Sequence, residues 1–120
     1  MRSGIAAAAF AAALLPGSAE AQRAKFDGTW SVEVLTQKGD CGMYRWPVIV
    51  ERGRARYGGP EDFTVTGSVG ADGRVSGAIM RGQERAVVNG RLSGAFGTGT
   101  WTTSRGSRSC SGRWNAEKRG

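Results

Sequence analysis

The sequence predicts an all-β domain, an antiparallel up-and-down barrel of about eight strands closed by one disulfide. Three observations carry this expectation. Beyond the N-terminal segment no helical period is sustained, and short runs of alternating polarity follow one another between glycine-rich turns. A Gly-x-Trp pair opens the domain at Gly28-Thr29-Trp30 and returns near its end at Gly99-Thr100-Trp101 and Gly112-Arg113-Trp114. Glycine lets another backbone come close, and a tryptophan two residues on shares its face of a strand, so the first and last strands are expected to meet in one core. The two cysteines, Cys41 and Cys110, stand just past the first expected strand and at the start of the last.

The opening residues read as an export leader. Arg2 supplies the positive charge, Ile5 to Leu15 an alanine-rich apolar run, Pro16-Gly17 a break, and Ala19-Glu20-Ala21 a cleavage site. The run is too short to span a bilayer, and no later segment resembles a membrane helix. Residues 1–21 are therefore expected to be removed and residues 22–120 to form the single domain. Its net charge of +7 is unchanged by cleavage, because the leader carries one arginine and one glutamate. A chain of roughly a hundred residues has a modest core and benefits from a covalent staple. Export leads to an oxidising compartment, so a Cys41–Cys110 bridge is expected, worth about 4 kcal/mol by loop-closure entropy.

The strands are expected in this order. Thr29 to Gln37 places Trp30, Val32 and Val34 on one face, and Lys38-Gly39-Asp40 turns the chain past Cys41. Met43 to Glu51 holds Tyr44, Trp46, Val48 and Val50 in phase; Pro47, on the other phase, predicts a bulge or an unpaired position. Arg52-Gly53 turns tightly into Arg54 to Tyr57. After the loop Gly58 to Asp62, Phe63 to Val69 alternates with Phe63, Val65 and Val69 inward. Asp72-Gly73 is the clearest hairpin turn, because such turns need positive φ. Val75, Gly77 and Ile79 lie in phase, then Ala86, Val88, Gly90 and Leu92. Trp101 marks the strand Gly97 to Thr103, and Trp114 the last one, Cys110 to about Glu117. Lys118-Arg119-Gly120 is expected to fray.

Large residues and glycines alternate on the inner phase, as a small barrel requires to fit its taper. Trp30, Trp46, Trp101 and Trp114 are expected to lie over Gly67, Gly77, Gly90, Gly97, Gly99 and Gly112. That arrangement fills the interior; the alternative is a hollow interior with tryptophan walls and Tyr44 beside them, able to hold a small apolar ligand.

The chain contains no histidine, which removes the commonest general base and metal ligand. Asp27, Asp40 and Asp72 sit at turns, where aspartate serves the backbone, and Glu61-Asp62 are neighbours whose side chains point apart in extended chain. No phosphate loop opens a helix. The reading is therefore non-catalytic, with no metal and no cofactor. The arginines are the stronger signal: Arg45, Arg54, Arg56, Arg74, Arg91 and Arg113 all fall on the outward phase, with Arg105 and Arg108 in the last loop. Outward charge protects sheets from pairing with one another, and gathered on one side it would attract an anionic envelope component. The export leader argues against nucleic acid.

The segment Phe26-Asp27-Gly28-Thr29-Trp30 resembles the opening of the small calycin-like barrels, which include lipocalins and avidins and carry a Gly-x-Trp on the first strand. Arg113 departs from their pattern, since the basic residue they set over that tryptophan would here point outward. The chain as a whole is similar to short exported bacterial proteins of this Gly-x-Trp, one-disulfide type. The resemblance implies a barrel and a binding role. The expectation is an exported binding protein of the periplasm or medium, taking a small apolar ligand or an anionic envelope component; the alternative is a protein inhibitor of a secreted protease or lysozyme.

Overall fold

The computed structural model describes residues 25–120; the expected leader, residues 1–21, and the expected cleavage site lie outside the described residues. Alternation of polarity becomes eight strands: β1 (Gly28–Lys38), β2 (Met43–Glu51), β3 (Arg54–Tyr57), β4 (Thr64–Val69), β5 (Arg74–Arg81), β6 (Glu84–Ser93), β7 (Phe96–Arg105) and β8 (Ser111–Lys118). Each pairs antiparallel with the next, and β8 returns to β1, so the sheet closes in the order of the chain. Closure puts the end of β1 beside the start of β8, and the Cys41–Cys110 disulfide spans that rim with a Cα–Cα distance of 6.2 Å.

The register explains the core. Trp30, Val32 and Val34 face inward opposite Val48, Trp46 and Tyr44 on one side and Lys118, Ala116 and Trp114 on the other. The Trp114 ring lies over glycines as expected: a Cβ on Gly90, Gly97 or Gly99 would meet its indole atoms. Gly67 and Gly77 differ. They stand opposite each other, their nearest neighbours are backbone and Ala55, and both line an apolar cavity of about 90 Å³ inside the barrel. The interior is thus nearly filled, and the space that remains lies by that glycine pair.

Of the local expectations, a bulge at Pro47 and fraying of the C-terminal residues need correction, whereas an unpaired amide at Pro47 and positive φ in the Asp72-Gly73 turn are found. The β1–β2 register runs unbroken through Ser31–Pro47, so Pro47 makes no bulge. Its carbonyl accepts Gly58 N at 2.9 Å, just beyond the end of β3, so the missing N–H faces a place where the neighbouring strand has already ended and no ladder bond is lost. Bulges fall instead at Thr36/Lys38 and Arg85/Ala86. The C-terminal residues do not fray: Thr29 N donates to Gly120 O at 3.0 Å and Arg119 N to Thr29 O at 2.7 Å. In the Gly70–Gly73 turn, positive φ falls on Gly73 alone, at 89°, while the Asp72 carboxylate accepts Arg74 N at 3.0 Å.

One seam is short. β3 and β4 pair at Arg54–Ser68 and Ala55–Gly67, whereas β1 and β2 pair from Gly28–Val50 to Leu35–Met43. Above those pairs Tyr57 and Phe63 fill the gap edge to face, with ring centroids 5.7 Å apart.

Candidate functional site

The two ends of the barrel differ. Phe26, 4% exposed, closes the end where β1 starts, joining Trp30, Val50, Val69 and Leu92 in the buried cluster. Its carbonyl accepts the Trp30 indole N–H at 2.9 Å, which holds the Phe26 backbone across that end. The opposite end, beside the disulfide, is open and forms a depression of about 470 Å³.

Alternation brings apolar side chains to its floor and strand ends bring polar ones to its rim. Val34, Trp46, Ile79 and Trp101 form the floor, and Tyr44, Phe63 and Cys41 the wall. Trp46 is the hub of the aromatic wall: its centroid is 4.6 Å from Phe63 and 5.4 Å from Tyr44, which stacks on it, and Tyr57 meets it edge-on at 6.4 Å. Partial burial, and then the hydrogen bond to Glu61, hold the Tyr57 phenol above its ordinary pKa.

Arg81, Glu84, Arg85, Ser107 and Arg108 stand on the rim. Arg81 lies over the Phe63 ring, 4.9 Å from its centroid, and pairs with Asp62 at 3.2 Å. Arg85 donates to the Ser104 hydroxyl at 3.2 Å, and Arg108 to the Asp40 carbonyl at 3.3 Å. Glu84 accepts the Ser107 hydroxyl at 3.2 Å.

All four tryptophans expected to wall a ligand space line the internal cavity of about 90 Å³, but only two of them also reach the mouth. Trp46 and Trp101 face the mouth, with Tyr44 beside them, while Trp30 sits at the closed end. Trp114 is spent on packing, its indole N–H bonded to Asn89 O at 3.0 Å over the glycines. The Trp101 indole likewise donates to Leu35 O at 3.0 Å, which fixes its ring at the floor.

The six outward arginines are all exposed, but they lie on β2, β3, β5, β6 and β8, around the barrel and not on one side. Arg45 pairs with Glu33 at 2.9 Å, Arg56 with Glu51 at 3.1 Å and Arg91 with Asp72 at 3.9 Å. Arg113 points outward, away from the Trp114 side, and donates to Thr98 Oγ1 at 3.2 Å. Among the described residues no cluster of three or more His, Cys, Asp or Glu is placed to hold a metal ion, and no helix is long and apolar enough to cross a membrane.

Sequence reasoning missed Phe63, Arg81, Arg85 and Arg108 as mouth residues. Arg81 had a signal: it continues the inner phase of Val75, Gly77 and Ile79 to the end of β5. Arg85 had none, because it lies at a bulge, which breaks the period and re-aims a side chain. No protein-family model, curated protein or solved structure matches this chain.

Proposed function

We propose that the protein is an exported, non-catalytic binding protein of the periplasm or medium, and that its ligand sits in the mouth beside the disulfide. The observation that carries this reading is the asymmetry of the barrel. One end is plugged by Phe26, and the other opens a depression of about 470 Å³ onto Trp46 and Trp101. The internal cavity of about 90 Å³ is smaller than the roughly 150 Å³ that accommodates benzene. An apolar group therefore binds on the aromatic floor and does not enter the barrel. Large flat side chains with fixed rings lose little conformational entropy on binding, which suits Tyr44, Trp46, Phe63 and Trp101 to this task. The leader and the single disulfide support export.

The test is titration with the neutral probe N-phenylnaphthylamine, followed by its own emission and by tryptophan quenching. Micromolar binding is expected, weakened about tenfold by Phe63→Ala. Absence of binding up to the solubility of the probe would overturn the reading. Mass measurement of the protein recovered from the periplasm or medium tests export: cleavage after Ala21 and loss of two hydrogens are expected.

A further inference from the structure

The aromatic floor meets a rim whose charges are unevenly matched. Three arginines stand on it against Glu84, the one carboxylate among the described lining residues. Arg81 already has a carboxylate, Asp62, and rests on a ring. Arg85 and Arg108 have neutral partners instead, a hydroxyl and a backbone carbonyl. Neither lies within ion-pair distance of a carboxylate among the described residues. This sets them apart from Arg45, Arg56 and Arg91 on the barrel wall, each of which has a carboxylate partner. Glu84 is engaged by Ser107, from the same loop that carries Arg108.

Those neutral bonds do something specific. A guanidinium carries five donors in a fixed plane. The bond of Arg85 to Ser104 and that of Arg108 to Asp40 O use part of each set and orient the remainder beside the depression. Two cations held in this way beside an aromatic surface suit one anionic group, because charge-assisted bonds are stronger than neutral ones.

Resting on the mouth as the binding site, we infer that the ligand is an amphipathic anion: an apolar, preferably aromatic body on Trp46 and Phe63, with a carboxylate, sulfate, sulfonate or phosphate group held by Arg85 and Arg108. The two features that the sequence presents separately, aromatic residues and unmatched positive charge, then serve the two halves of one molecule.

A matched pair of probes tests this. Anilinonaphthalene sulfonate and N-phenylnaphthylamine share their ring system and differ in the anionic group. The sulfonate is expected to bind about tenfold more tightly, with an advantage that shrinks from low to high ionic strength. Joint substitution Arg85→Gln and Arg108→Gln is expected to remove that advantage, bringing the ratio of the two probes' affinities to about one. The control pair Arg54→Gln and Arg74→Gln, with the same loss of charge on the barrel wall, is expected to preserve it. Equal binding of the two probes to the native protein overturns the inference while the mouth stands as an apolar site. So does a sulfonate advantage that survives the Arg85/Arg108 substitutions or falls equally in the control pair. Binding of neither probe overturns the mouth itself.

Discussion

Replacing Gly99 by alanine is the sharpest test of how the barrel is filled. Gly99 on β7 faces Gly90 on one side and Trp114 on the other. A Cβ there would collide with the Asn89 carbonyl oxygen and lie 2.5 Å from Trp114 Nε1 and 2.6 Å from Cε2. Asn89 O is the acceptor of the Trp114 indole N–H, at 3.0 Å, so the methyl group crowds donor and acceptor at once and forces them apart. The ring can retreat toward the cavity of about 90 Å³ that it helps to line, but the Asn89 carbonyl is held in the β6–β7 ladder and cannot follow. Overpacking costs about 1–3 kcal/mol, and an indole N–H left buried without a partner costs about 1–3 kcal/mol more. A loss of about 3–5 kcal/mol is expected. In a domain of roughly a hundred residues this lowers Tm by roughly 15–25 °C. Gly94→Ala is the control, since it has positive φ (60°) but nothing within 4 Å, and strain alone should cost it about 1 kcal/mol. The assay is thermal unfolding followed by near-ultraviolet circular dichroism, which also reports the tryptophan environment. If Gly99→Ala melts no lower than Gly94→Ala, Trp114 is not packed tightly over Gly99.

Three further outcomes are expected. Removing the bridge with Cys41→Ser and Cys110→Ser, a sequence separation of 69, should lower unfolding free energy by about 4 kcal/mol, read from urea midpoints; a loss under about 1 kcal/mol would mean the closed barrel restrains the ends unaided. Arg52 takes φ of 51° before Gly53 at 76° in the β2–β3 turn, where asparagine is favoured, so Arg52→Asn should gain about 0.5–1 kcal/mol and a drop in Tm would contradict the turn geometry. The Asp72 carboxyl is held below its ordinary pKa by the Arg74 N–H and by the charges of Arg74 and Arg91. A carboxylate with a depressed folded pKa contributes stability present above its unfolded pKa and lost as pH falls through the folded one. The stability difference between native protein and Asp72→Asn, from urea midpoints across a pH series, should therefore be steady near neutrality and shrink below about pH 4; a difference that grows with acid would reverse the sign.

Period-two alternation made the strand faces legible, because a one-residue slip would turn Trp30, Val32 and Val34 out to solvent. Closure was legible for an independent reason: Cys41 and Cys110 meet only if β8 returns to β1. What stayed hidden was set by register and by non-periodic chain. Whether the interior is filled depends on which glycines a ring covers, and the register puts Trp114 over Gly90, Gly97 and Gly99 while leaving Gly67 and Gly77 beside a void. Fraying of the last residues was the natural expectation for a charged end, but their hydrogen-bond partner is Thr29, at the far end of the domain in sequence. The mouth was half legible. Its aromatic floor follows from strand phase, whereas Arg85 and Arg108 reach the rim through a bulge and a loop that carry no period.

The short β3–β4 seam has a consequence for what the protein exposes when it loosens. A closed sheet has no edges until one seam parts, and β3–β4, with two ladder pairs and one further bond from Val69 N to Gly53 O at 2.8 Å, is its shortest seam. What results when it parts is not an unravelled chain but an open sheet running β4 to β8, then β1, β2 and β3, with the disulfide-clamped pair in its interior. Its fresh borders are β3, which carries Arg54 and Arg56 outward, and β4, which carries Thr64, Thr66 and Ser68. Charged and hydroxylated borders are poor templates for a neighbouring molecule's strand. A barrel that opens at this seam therefore exposes borders that resist pairing with a neighbouring molecule.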